Sequence, residues 1–367
     1  MKLRTFFLGL RPIMFVGFLL LMCSNAEARQ VDPETAIQAA QTLWQQRVGE
    51  SVSQWTVNDT TFQHIYCLEN ERGGVVFLAK DDCVHPVVGY SAEGIQFPMP
   101  DNALAWLNDR DREIAFCITN GLLATKEITV EWEILVDGLE MLNGVSVAPM
   151  VQTKWNQSPL YNNLCPPETG NRSVTGCVAT ATAQVMRYWN YPATGTGSHC
   201  YTHANYGQLC AYYGQTTYDW ANMPIQLNAN STTAQIQAVA TLCYHCGVAV
   251  EMDYDPSGSA ASTYNVASAL TTYFGYKNTA NYTSRSTYST DAAWINVLTN
   301  ELNHGRPMVY RGSDANGGGG HSFVCDGYDA SNYLHFNWGW GGSMDGFYTI
   351  YSMNPGSYAF TVSQAAV

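Results

Sequence analysis

The alternation of apolar and polar residues divides the chain into stretches of different character. Residues 12–22 are apolar with almost no interruption. Residues 33–46 then place Ile37, Ala40 and Trp44 near helical spacing, which predicts a helix. Strand-like segments follow at 61–67, 74–79 and 86–90, with a second helical stretch at 102–123. Together these predict a small α+β module over residues 29–145. The run Val145–Met150 reads as an extended connector. Beyond it, residues 156–165 are turn-rich and lead into Pro166-Pro167. A helical run occupies 177–189 and is ended by Asn190 and Pro192. Helical patterns recur at 231–247 and 260–274. Strands separated by glycine-rich turns are expected at 308–311, 321–326, 333–337 and 347–351. Helices first and antiparallel strands later predict an α+β fold for residues 146–367.

The apolar run near the N-terminus is too short to span a bilayer. Lys2, Arg4 and Arg11 lie before or at its start, and Ala26-Glu27-Ala28 supplies small residues at a cleavage position. This predicts a secretory signal peptide over residues 1–28, and hence a secreted or periplasmic protein with no membrane span. A rival reading takes Leu20-Leu21-Met22-Cys23 as a loose lipoprotein box with Cys23 as the anchor, although Met fits poorly before the Cys. The net charge of −13 becomes −15 once residues 1–28 are removed. An acidic chain lacks the basic face that nucleic acid demands. Of the 11 cysteines, Cys23 leaves with the signal. Export permits disulfides among the others, and Cys200–Cys210 is the simplest pair in a Tyr-rich loop.

Chemistry concentrates in four places. In Gly176-Cys177-Val178-Ala179-Thr180-Ala181, small residues crowd a cysteine that opens a helix. The positive end of the helix dipole favours thiolate there. A buried core cysteine is the competing explanation. His321 follows Gly317–Gly320 and opens a strand, so it is a candidate base for Cys177 once folding brings the two together. Asn337-Trp338-Gly339-Trp340 lies one short strand later. Asn337 would give the base's other ring nitrogen an acceptor, and Trp338 would shield that contact and wall a cleft. Gln157, twenty residues before Cys177, would join the Cys177 N–H in stabilising an oxyanion. Cys243-Tyr244-His245-Cys246 superficially resembles a metal or redox motif, but it sits in an apolar helical run and is expected to be core or a disulfide. No phosphate-cradling loop is present, and neither a metal nor a cofactor is expected.

The segments Thr175–Pro192, Gly320–Gly327 and Phe336–Gly342, followed by Asp345–Tyr348 and Asn354-Pro355, resemble the motifs of the streptopain family of cysteine peptidases. Val250–Ala260 resembles a family segment lining the cleft, and 74–79 with 88–90 resemble its propeptide. The resemblance implies a papain-like fold and a secreted endopeptidase made as a zymogen. Cys177 would be the nucleophile, His321 the general base and Gln157 the oxyanion donor, with Trp338 the cleft tryptophan and either Asn337 or Trp338 orienting the imidazole. It further implies protein or peptide substrates with an apolar P2 residue. Residues 29–145 would be an intramolecular inhibitor, with Asn102 the match to an Asn near the S1 site. Two alternatives are acyl transfer to amines on the same fold and a non-catalytic secreted binding or inhibitory protein. The many cysteines depart from the streptopain pattern.

Overall fold

The computed structural model describes residues 29–58, 60–141, 146–168, 170–313, 320–351 and 363–367. The expected signal peptide and Cys23 lie outside the described residues, as do Gly317–Gly319, Asn354 and Pro355.

The first helix, α1 (Pro33–Arg47), starts where Asp32 accepts hydrogen bonds from the N–H groups of Glu34 and Thr35, with Pro33 at its first position. It buries Ala36, Ala39, Ala40, Leu43 and Trp44 on one face. An antiparallel meander follows: β1 (Trp55–Asn58), β2 (Ile65–Asn70), β3 (Val75–Ala79) and β4 (Val87–Ser91). Next come α2 (Asp101–Thr119) and α3 (Lys126–Val136). The expected helix over 102–123 thus ends at Thr119, near Asn120 and left-handed Gly121. A separate helix restarts after the Thr125 cap, whose hydroxyl accepts from Ile128 N–H.

The remainder holds a small ladder of β5 (Pro167–Glu168) and β6 (Asn171–Arg172), then α4 (Cys177–Trp189). The hairpin of β7 (His199–His203) and β8 (Gly207–Ala211) is closed by the Cys200–Cys210 disulfide. Helices α5 (Thr233–Ala249), α6 (Asn265–Tyr273) and α7 (Asp291–Asn303) follow, with β9 (Thr283–Ser284) between the last two. The chain ends in β10 (Met308–Ser313), β11 (Gly320–Tyr328), β12 (Leu334–Asn337), β13 (Gly346–Tyr348) and β14 (Ala365–Ala366). Cys243 and Cys246 are both unpaired and buried in α5, so the C-x-x-C motif is core.

Among the described residues, all the strands but β5–β8 join in one ten-stranded sheet in the order β1-β2-β3-β4-β13-β12-β11-β10-β14-β9. The N-terminal meander joins the C-terminal strands through β4 and β13, with Tyr90 opposite Phe347 and Gly89 opposite Tyr348. Close approach at this seam requires glycine: a Cβ on Gly346 would lie 2.3 Å from the Tyr90 carbonyl oxygen. Alternation along β10 and β11 sends Val309 and Val324 into the core around α4 and α5. Met308, Tyr310, Phe323 and Cys325 point the other way, into a core shared with α1, α2 and the meander. Helix α2 therefore packs on the face of β10 and β11 opposite to the one that supports α4, while β1–β4 extend the same sheet.

Candidate active site

Cys177 is the first residue of α4. The turn before it depends on Gly176, whose φ of +84° belongs to the left-handed side and whose absent Cβ would meet Met252 Sδ at 2.6 Å. Ala179, Ala181 and Ala183 are all buried on α4. Thr175 and Thr180 share a 2.7 Å hydroxyl–hydroxyl bond across the helix start. Asp253 and Ala260 pair through both backbone hydrogen bonds, and within that loop Ser259 Oγ donates to the Val174 carbonyl at 2.7 Å. The segment read as a cleft wall thus braces the turn that aims Cys177.

His321 is the second residue of β11, opposite Gly312 on β10. Its neighbour Ser322 donates its N–H to Cys177 Sγ at 3.4 Å. The Ser322 hydroxyl bonds Thr263 at 2.7 Å, which fixes that N–H. The Cys177 thiol and the residue carrying the His321 imidazole are therefore brought to adjoining positions, although Cys177 Sγ takes its hydrogen bond from the backbone rather than from the His321 ring. The imidazole instead lines a shallow pocket with Asn102, Trp106, Gly312 and Phe323. Helix α2 supplies the first two. Trp106 is 5% exposed and meets Phe323 and Phe336 edge-on, with ring centroids 6.0 and 5.4 Å apart. Asn102 donates from Nδ2 to the Trp338 carbonyl at 2.6 Å.

Burial pushes the Cys177 thiol above its ordinary pKa, against hydrogen bonds from Ser322, Val178 and its own N–H. Burial likewise holds His321 below the ordinary imidazole value, with Asp101 opposing. Both shifts favour the neutral pair, thiol with imidazole, over the ion pair that nucleophilic attack requires.

Gln157 is tied beside the turn that precedes Cys177. Its N–H donates to Asn156 Oδ1 at 2.7 Å, and its carbonyl accepts from Thr175 N–H at 3.2 Å. Trp338 is 1% exposed and packs among Phe323, Phe336 and Tyr348. Its indole N–H donates to the Met344 carbonyl, and its backbone N–H donates to Asp345. Asn337 is not bonded to His321 here. Its Oδ1 accepts from Gln184 Nε2 and Gly339 N–H, and its Nδ2 donates to the Thr153 carbonyl. The amide is committed to other partners. Sequence reading missed Gln184 and Trp106. The available signal for Gln184 was a polar side chain at helical spacing from Cys177, after a run of Ala, Val and Thr.

The chain has counterparts among known proteins. The family model described as the Peptidase C10 family matches residues 155–348. Streptopain of Streptococcus pyogenes is 35% identical over 313 residues, which is 80% of this chain and 75% of streptopain. The thiol protease/hemagglutinin PrtT of Porphyromonas gingivalis is 32% identical over 305 residues, 78% of this chain; the chain spans 34% of PrtT's length. A prointerpain A fragment from Prevotella intermedia superposes with a TM-score of 0.72 at 34% identity, covering 85% of this chain and 98% of the fragment. Active interpain A, a cysteine protease of the same organism, has a TM-score of 0.55 at 43% identity and covers 60% of this chain and 93% of its own.

Proposed function

Because the chain belongs to the Peptidase C10 family of cysteine-type peptidases, with an α+β, papain-like fold, we propose that it is an exported endopeptidase held inactive by its own N-terminal region. Residues 146–367 form the catalytic domain and residues 29–145 the inhibitory propeptide. Residues 1–28 direct export to the periplasm or exterior. Among the described residues no helix is long and apolar enough to cross a membrane.

In the mature enzyme His321 takes the Cys177 proton, and the thiolate attacks the scissile carbonyl. The Gln157 amide and the Cys177 N–H hold the oxyanion. His321 protonates the leaving amine, and water then releases the acyl group. Trp338 walls the cleft. A P2 preference for an apolar side chain rests on family resemblance alone.

The observation that carries this reading is the convergence of Cys177, Ser322 N–H, His321 and Gln157 around the first turn of α4. Latency has its own support. Asn102 and Trp106 occupy the surroundings of His321, and burial shifts both members of the pair toward their neutral forms. Prointerpain A also aligns with more of this chain than active interpain A does. The maturation cut belongs between Met141 and Val147. Met141 N–H is tied to Gln46, whereas Val147 exchanges both backbone hydrogen bonds with Tyr328.

The test is Cys177→Ala in the full chain. It should persist as a full-length precursor and leave casein intact, while wild type matures and is labelled by iodoacetamide at Cys177. Unaided maturation with casein cleavage by the Ala variant would overturn the assignment.

A further inference from the structure

Seven residues after Cys177, two turns along the same face of α4, lies Gln184, 0% exposed. Its Oε1 accepts from Thr153 Oγ1 at 2.8 Å and from Trp155 N–H at 3.2 Å. Its Nε2 donates to Asn337 Oδ1 at 2.9 Å. Asn337 Oδ1 also accepts from Gly339 N–H at 3.1 Å, and its Nδ2 returns to the Thr153 carbonyl at 2.7 Å. The three residues close a ring of buried hydrogen bonds. The amide orientations follow from groups that cannot flip. The N–H groups of Trp155 and Gly339 need oxygens facing them, and the Thr153 carbonyl needs a donor.

Each corner of the ring leads to a different part of the site. Thr153 and Trp155 open the segment that carries Gln157. Asn337 precedes Trp338. Gln184 sits on the helix whose first residue is Cys177. An oxyanion donor works only when held within about 0.5 Å of its productive position by supporting contacts. We infer that Gln184 is a positioning residue: through Thr153 and Asn337 it sets the Gln157 segment in register with Cys177, forming the oxyanion site. This rests on the roles proposed above for Cys177 and Gln157. It also assigns Asn337 to the scaffold of that site.

The experiment compares wild type, Gln184→Met and Gln184→Glu, expressed as the full chain and matured. Met keeps the side-chain length and burial but removes both hydrogen-bonding functions. Glu keeps the accepting oxygen and donates to Asn337 only when protonated. The readouts are kcat and KM on a peptide p-nitroanilide with an apolar P2 residue, the inhibition constant of the matching peptide aldehyde, and the rate of Cys177 alkylation by iodoacetamide. For Gln184→Met, kcat should fall on the order of 100-fold, the size of losing one oxyanion donor. Aldehyde affinity should fall in parallel, while KM and the alkylation rate stay within about twofold. For Gln184→Glu, activity relative to wild type should recover as pH is lowered, a signature that general loosening of the core would not give.

An unchanged kcat would overturn the inference. So would a common loss of KM, aldehyde affinity and alkylation rate, or a Glu variant whose deficit is independent of pH. If the Met variant does not fold, Thr153→Val removes one link only and should show the same split with a smaller loss, about three- to tenfold. Loss of the split there overturns the inference equally. Activity surviving Cys177→Ala would instead defeat the underlying assignment, which separates the two failures.

Discussion

Removing the Trp106 side chain tests whether the N-terminal region restrains the proposed site around Cys177 and His321. The indole is almost fully buried, and its contacts with Gly312, Phe323 and Phe336 are to the sheet that carries His321. Truncating a buried Trp to Ala costs about 3–5 kcal/mol in a well-packed core. Part of that is lost within α2 itself, where Arg110 lies over the ring. Assigning about 2–3 kcal/mol to the contact with the sheet raises the open fraction about 30- to 150-fold. Trp106→Ala should therefore mature that much faster, measured as the disappearance of full-length chain at low concentration on denaturing gels. The indole N–H has no partner among the described residues, so Trp106→Phe should fall between Ala and wild type. Maturation of the Ala variant at the wild-type rate, with its precursor folded, would refute the idea that this indole holds the site closed.

Two further outcomes follow from the seam between the regions. Gly346→Ala places a methyl against Tyr90 and Ser91, both N-terminal to the maturation segment. The precursor should be destabilised and activate faster, while the matured variant keeps activity within about twofold of wild type on a peptide substrate; equal losses in both forms would contradict this. Burial raises the Asp345 carboxyl to about 7, against His335 and the Trp338 N–H. The folded chain then holds a proton that the unfolded chain releases near pH 4, so this group makes stability fall as pH rises from about 4 to about 7. Asp345→Asn in the Cys177→Ala background should remove that part of the decline, read as urea midpoints at about pH 5 and pH 7.5. An unaltered pH dependence would exclude Asp345 as its source.

Local pattern was a good guide wherever local chemistry decides the outcome. Helix 177–189 has Gly176 before it and left-handed Asn190 after it, and its bounds match the expectation. Helix α1 carries its own Asp32 cap and an apolar face, and ends within one residue of the pattern. The Cys200–Cys210 disulfide closes a ten-residue separation that sequence alone suggested. Helices α3 and α7 escaped notice although each has a Thr cap and apolar residues at helical spacing, such as Trp294, Ile295, Leu298 and Leu302 in α7. What pattern could not convey is partner choice. Each strand of the β4–β13 seam is apolar in its own right, and nothing in either segment states that they pair with each other. Asn337 illustrates the same limit in the site: its residue type suits an imidazole partner, but its actual neighbours are set by contacts 153 and 184 positions away in sequence.

The shared sheet separates two events that are easily treated as one. Scission of the peptide bond between Met141 and Val147 leaves the β4–β13 ladder, the Asn102 bond and the Trp106 contacts in place. A nicked molecule should therefore stay latent until the severed segment dissociates or is digested. Progress curves of activity should lag behind the appearance of the cut chain, and dilution should raise the fraction finally active by preventing rebinding of the severed segment.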